Sequence, residues 1–193
     1  MNYKFGVYGD SIAYGYGNNS KSWFDILFGD FSLKQAQNGE KIADVLYKIK
    51  QDSNYYDTLF IAVGINDLLI SKPKISPNIL QNLINDYKKI LESASTRATQ
   101  IIVQSVLPVR EELFPHQAWL DENKWAYNSD IMLFNQKLSN LCAEQEIKYL
   151  DTYNSFSQKN LANLYVDAVH LNQTGQNELA TLYTKITFDK RVK

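Results

Sequence analysis

The stretch TLFIAV, Thr58 to Val63, is almost continuously apolar and runs straight into Gly64. A second run of the same kind, QIIVQSVL, covers Gln100 to Leu107. Short unbroken runs rich in β-branched residues fit strands buried on both faces, the central position in a parallel sheet. Working outward, similar runs occur at Lys4–Tyr8 and Ile147–Asp151, with a weaker one at Ser32–Gln37. Helical spacing fills the intervals. Trp23, Phe24, Leu27 and Phe28 form one apolar face, and Ile42, Val45, Leu46 and Ile49 another. The longest runs from Ile79 through Leu80, Leu83, Ile84, Tyr87 and Ile90 to Leu91, and the last comprises Leu179, Leu182, Tyr183 and Ile186. Strand and helix in alternation predict a three-layer α/β/α sandwich on a parallel sheet of about five strands. No repeat, low-complexity tract or linker divides the chain, so residues 1–193 read as one domain.

Composition narrows the function classes. The chain has 193 residues, a formal net charge of -1, 45% hydrophobic and 21% charged residues. Such a balance creates no global field for nucleic acid, and the lysines form no basic stripe. No apolar run approaches the ~20 residues of a membrane span. The N-terminus lacks the charged segment and apolar core of a signal peptide. The expected location is therefore cytoplasmic, or extracytoplasmic for a mature or excised domain. Cys142 is the one cysteine, so neither an internal disulfide nor a multi-cysteine zinc cage can form. It lies on the helical stripe Ile131, Phe134, Leu138, Leu141, Cys142 and reads as a small buried hydrophobe. The 13 tyrosines suit carbohydrate or mixed polar–apolar sites and core packing alike.

The least regular segment is Pro108 to Asp130. It holds two of the 4 prolines, two of the 3 tryptophans and one of the 2 histidines. Long loops in compact α/β domains are often functional, and ligands bind at the carboxyl ends of the strands. This loop follows the fourth predicted strand and emerges at that edge. Trp119, Trp125 and Tyr127 stand among Asp121, Glu122, Asn123 and Asn128, a mixture suited to sugar faces and hydroxyls. The same tryptophans can equally pack onto the domain. His116 lies there too and reads as an exposed loop histidine, with a place at a substrate rim as the second reading.

Four short blocks stand where predicted strands end. They are Gly9-Asp10-Ser11, Asn38-Gly39, Gly64-Ile65-Asn66-Asp67, and Asp167-Ala168-Val169-His170. Each alone is ordinary turn chemistry. Strand ends on one edge of a parallel sheet converge, however, and together the blocks supply a hydroxyl, an imidazole, a carboxylate and an amide. That is the inventory for acyl transfer to a serine. Ser11 needs a base to take its proton during attack. His170 suits that task because an imidazole ordinarily titrates near neutrality. Asp167, three residues earlier, can fix its tautomer across a tight turn. The Asn66 side chain and the backbone N–H groups of Ser11 and Gly39 can receive the oxyanion.

The set, in this order and spread over most of the chain, resembles the signature blocks of the SGNH (GDSL) hydrolases. The resemblance implies a flavodoxin-like sheet. It implies Ser11 as nucleophile, His170 as base, Asp167 as its orienter, and Gly39 and Asn66 in the oxyanion hole. No cofactor or metal is implied, and the expected partner is a small-molecule or glycan ester. Two departures stand out: Ile12 replaces the usual leucine after the serine, and no asparagine occurs near Lys34–Gln35 ahead of Gly39.

Other chemistries fit less well. Gly15 and Gly17 follow a strand, but the third glycine of a dinucleotide loop is Ser20. The GxSxG elbow and a phosphate loop are both missing. A metal hydrolase would have to use Asp10, Asp67, Asp167 and His170, and a non-catalytic glycan-binding module would have no need of every catalytic residue type. The expectation is a serine esterase for a small acyl group, acetyl on a carbohydrate or other polar alcohol. The alternatives are a thioesterase or lysophospholipase-type lipid acyl hydrolase, or a glycan-binding module on the same fold.

Overall fold

The computed structural model describes residues 2–29, 32–71, 75–115, 117–120 and 124–188. His116, Asp121, Glu122 and Asn123 lie outside the described residues. The chain begins with β1 (Asn2–Gly9), α1 (Ser11–Tyr14), α2 (Trp23–Leu27), β2 (Ser32–Ala36) and α3 (Ile42–Gln51). It continues with β3 (Tyr55–Ala62), α4 (Ile65–Leu68), β4 (Ile70–Ser71), α5 (Pro77–Ser95) and β5 (Ala98–Gln104). The last third holds β6 (Lys124–Trp125), α6 (Asn128–Glu144), β7 (Lys148–Leu150), α7 (Thr152–Ser157) and α8 (Gln173–Phe188).

Five strands form one parallel sheet in the order β2-β1-β3-β5-β7. This is the doubly wound, flavodoxin-like arrangement, with its topological switch point between β1 and β3. Helices cover both faces, as the unbroken apolar runs require. Helix α5 packs between α3 and α6, while α2 packs on α8. Leu59, Phe60, Ile61, Ile102 and Val103 of the two central strands are buried. On the α2/α8 side the core is aromatic. Trp23 stacks on Tyr183 with centroids 3.6 Å apart, and Phe60 meets both rings edge-on. Tyr8, Tyr56, Tyr87, Tyr165 and Tyr183 are buried too, so much of the tyrosine content packs. Cys142 is fully buried, and burial pushes its thiol up to about 12.

The run Gln100–Leu107 outlasts its strand. The ladder of β5 stops at Gln104, yet Val106 and Leu107 stay buried. Asparagine side chains from α6 take over as partners. Asn135 accepts the N–H of Val106 and donates to its carbonyl, both at 2.8 Å, and Asn128 does the same for Val109 at 2.9 Å. The segment Pro108 to Asp130 is also more ordered than its composition suggests. It contains a 3-10 turn at Glu111–Leu113, and its β6 pairs antiparallel with β4. Helix α6 starts inside it, at Asn128.

Candidate active site

Strand β1 ends on Gly9 because the chain there has no room for a side chain. A Cβ on Gly9 would sit 2.7 Å from both the Ala13 methyl and the Ala62 carbonyl oxygen. Asp10 then caps α1, accepting the N–H of Ile12 at 3.0 Å, and Ser11 becomes the first residue of the helix. The Gly-Asp-Ser turn therefore delivers a serine at the mouth of the switch point. Its N–H has no intrahelical acceptor at that position.

The His170 block comes from the other end of the chain. Asp167 Oδ1 accepts the N–H groups of Val169 and His170 at 2.8 and 2.7 Å, which folds the four residues into a tight Asx turn. The turn brings Asp167 Oδ2 within 2.7 Å of His170 Nδ1. A carboxylate there only accepts, so Nδ1 carries the proton and Nε2 is left as acceptor. His170 Nε2 lies 2.9 Å from Ser11 Oγ, the hydroxyl donating. Two ties bring the blocks together. Gln176 of α8 accepts the N–H of Trp23 at 2.8 Å and donates to the Ile12 carbonyl at 3.1 Å. Asn18 donates to the Leu171 carbonyl at 2.6 Å.

Electrostatics match this geometry. Burial alone would raise the Asp167 pKa, but hydrogen bonds and charge from His170, with the two turn amides, hold it below the usual carboxylate value. Asp10 behaves in the opposite way. Burial pushes it up to about 7, with the charges of Asp67 and Glu40 adding to the rise and the Ile12 amide opposing it. Asp67 is pushed up to about 6, again chiefly by burial.

Ser11 and His170 open onto a cavity of about 350 Å³. Tyr16, Asn38, Gly39, Lys41, Asn66, Leu69, Trp119, Leu120 and Lys124 line it with them. Gly39 holds φ at +78°, a left-handed conformation that favours glycine, although a Cβ there would meet open space. Asn66 follows β3 and donates to the Glu40 carbonyl at 2.9 Å, so it is held against the Gly39 loop. Ser11, Gly39, Asn66 and His170 thus line one cavity, with Asp167 behind the imidazole. Among the described residues, no group of three or more His, Cys, Asp or Glu side chains is arranged to hold a metal ion. Nor is any described helix long and apolar enough to cross a membrane.

The two loop tryptophans part company. Trp125 sits in β6 opposite Ile70 and packs against the core, and it is not among the residues that line the cavity, although its neighbour Lys124 is. Trp119 lines the cavity and also donates its indole N–H to Asp167 Oδ2 at 2.9 Å. Tyr16 and Trp119 flank the imidazole, with centroids 4.2 and 4.8 Å away. These contacts are not legible in the sequence, because no local pattern connects Tyr16 or Trp119 with the Asp167–His170 turn.

Similar solved structures include a member of the lipolytic protein G-D-S-L family from Veillonella parvula, with a TM-score of 0.74 and 18% identity over 97% of this chain and 98% of that one. An acetyl xylan esterase, AlAXEase, has a TM-score of 0.75 and 18% identity over 95% of this chain and 99% of its own. Axe2, an acetylxylan esterase from Geobacillus stearothermophilus, has a TM-score of 0.70 and 14% identity over 95% and 93%. At these identities the likeness is one of fold. No curated protein matches the chain. The family model of the GDSL-like lipases and acylhydrolases matches residues 7–177, from within β1 into α8, and the chain belongs to that family.

Proposed function

We propose that the protein is a serine esterase that hydrolyses a small acyl ester, acetyl on a carbohydrate or other polar alcohol. The observation that carries this reading is the continuous relay from Ser11 Oγ to His170 Nε2 at 2.9 Å and from His170 Nδ1 to Asp167 at 2.7 Å. Ser11 Oγ attacks the ester carbonyl carbon while its proton passes to His170 Nε2. The carbonyl oxygen becomes an oxyanion, received by the N–H groups of Ser11 and Gly39 and the Asn66 side chain. Collapse expels the alcohol, which takes the proton from Nε2, and leaves an acyl-enzyme. Water then attacks by the same route, giving the acid and free Ser11. Asp167 stays ionised and steadies the imidazolium.

Two features favour a short acyl group. The cavity, about 350 Å³, is near the lower end for small-molecule sites. Among the described residues its aliphatic lining is Leu69 and Leu120, little for a long chain to bury against. The similar folds of two acetyl xylan esterases support a sugar acetate as the first substrate to try. The test is a panel of p-nitrophenyl esters of rising acyl length beside acetylated xylo-oligosaccharides, with Ser11→Ala as the blank. Turnover falling from acetate to octanoate is the expected result. A maximum at octanoate would replace this reading with the lipid acyl hydrolase.

A further inference from the structure

The Asp167 carboxylate is fully subscribed. Oδ1 takes the amides of Val169 and His170, and Oδ2 takes His170 Nδ1 and the indole N–H of Trp119. A carboxylate offers about four lone-pair sites. Three of these donors come from the turn itself. The fourth comes from the loop after β5, reaching across from a different part of the chain.

That loop is fastened to the same turn along its length. Tyr165 donates its hydroxyl to the Pro108 carbonyl at 2.6 Å, and the Arg110 N–H donates to the Ala168 carbonyl at 2.9 Å. The Ala168 N–H in turn donates to Gln117 Oε1 at 3.2 Å. Trp119 is therefore carried by a segment anchored on both sides of Asp167. Its ring also meets the imidazole edge-on, with the planes at 72°.

We propose that Trp119 is a positioning residue for the reaction: its indole N–H holds Asp167 Oδ2, and through it the imidazole, in the orientation that Ser11 requires. The inference rests on the serine-esterase reading and goes beyond it by placing one determinant of turnover on the loop. An aromatic wall that merely touches substrate would act on KM and on larger substrates. A donor to the triad carboxylate acts on kcat for every substrate, the smallest included. It also acts on the pH profile. With the indole N–H removed, Oδ2 carries more negative charge toward His170 and favours the imidazolium. The acid limb of kcat/KM then moves to higher pH. Other titratable or charged groups near this pair include Tyr16 against the imidazole, Lys41 and Lys124 on the cavity wall, Asp10 next to Ser11, and Arg110, whose N–H donates to the Ala168 carbonyl.

The experiment is a double-mutant cycle on p-nitrophenyl acetate using Trp119→Phe, Asp167→Asn and the double variant, with Ser11→Ala as control. Trp119→Phe keeps an aromatic ring but loses the donor, together with part of the ring's area. Its kcat should fall roughly 10-fold, as for a lost hydrogen bond to a charged group, with KM within about two-fold and the acid limb moved upward. The double variant should lose no more than Asp167→Asn alone, because Trp119 acts through Asp167. Strictly multiplicative losses, or an unchanged kcat and limb in Trp119→Phe beside an inactive Ser11→Ala, overturn the proposal and leave the esterase reading standing. Full activity in Ser11→Ala removes both. A structural readout covers the case of a poorly folding Trp119→Phe. The ¹⁵N-¹H indole signal of Trp119 should shift upfield in Asp167→Asn, and an unmoved signal counts against the pairing.

Discussion

The Asp67 carboxylate accepts the backbone N–H of Ile42 at 3.0 Å, and its neighbour Asn66 donates to the Glu40 carbonyl at 2.9 Å. The block after β3 therefore holds the start of α3 and the loop that carries Gly39. Two parts of the proposed oxyanion hole, Asn66 and Gly39, are braced against each other by adjacent residues. Asp67→Ala leaves the buried Ile42 N–H without its acceptor, at a cost of about 1–3 kcal/mol. The expected result is a lower melting temperature together with a lower kcat. An unchanged melting temperature would show that water replaces the carboxylate.

Ser11→Ala should abolish ester hydrolysis while costing no more than about 1 kcal/mol of stability, the worth of one hydroxyl hydrogen bond. His170→Ala should be nearly as damaging, since members of such a unit are not additive. In the wild type, activity should rise with pH as the imidazole gives up its proton and becomes a base. A pH-rate profile that is flat from acid to neutral, or retained activity in His170→Ala, would remove His170 from this role.

Asn66→Ala should lower kcat by roughly 10²–10³, the loss seen for one oxyanion donor, with little change in KM. It also removes the bond to the Glu40 carbonyl, so a stability loss of about 1 kcal/mol should accompany it. Steady-state kinetics with the melting temperature separate the two effects. A change confined to KM would mean that Asn66 binds the ground-state ester.

Asp10 sets a pH dependence of stability. Its carboxyl is raised from 3.8 to about 7 in the folded protein, and Asp67 is raised to about 6. Between pH ~4 and ~7 the folded state thus holds protons that the unfolded state has released. These two groups make stability fall as pH rises through that window, and the loss is complete above the folded values. Asp167 and Asp52, both lowered, act in the opposite direction at more acid pH. Asp10→Asn keeps an oxygen for the Ile12 N–H but cannot ionise. Its melting temperature should decline less from pH ~4.5 to ~7.5 than that of the wild type. Equal slopes by calorimetry would contradict the raised Asp10.

Much of the fold was legible because its signals are local. TLFIAV and QIIVQSVL are the central strands β3 and β5, and the weak run at Ser32 is the edge strand β2, half-buried as its mixed polarity suggests. Helices α1, α4 and α7 leave no signature in the sequence, since 4 to 6 residues carry no measurable period. The β4–β6 pair has no signature either, because two-residue strands have no alternation to read. The run ending at Leu107 overstates β5, because an apolar backbone paired at Val106 by the Asn135 side chain reads like one paired by a strand.

The amino-acid sequence by itself determined what neighbours in the chain can arrange. It set the alternation of strand and helix, the Asp10 cap that makes Ser11 the first helical residue, and the Asp167 turn that presents a carboxylate to His170. Those bonds span two or three residues and form wherever the segment is placed. Only the tertiary structure decided that Ser11 and His170, 159 positions apart, come within 2.9 Å, and that Trp119 reaches Asp167 across 48. Such meetings depend on the strand order, on Gln176 tying α8 to the first two helices, and on a loop stitched to the turn it supports. Contacts of that kind exist only once the layers pack, because no local periodicity encodes which distant segment supplies the partner.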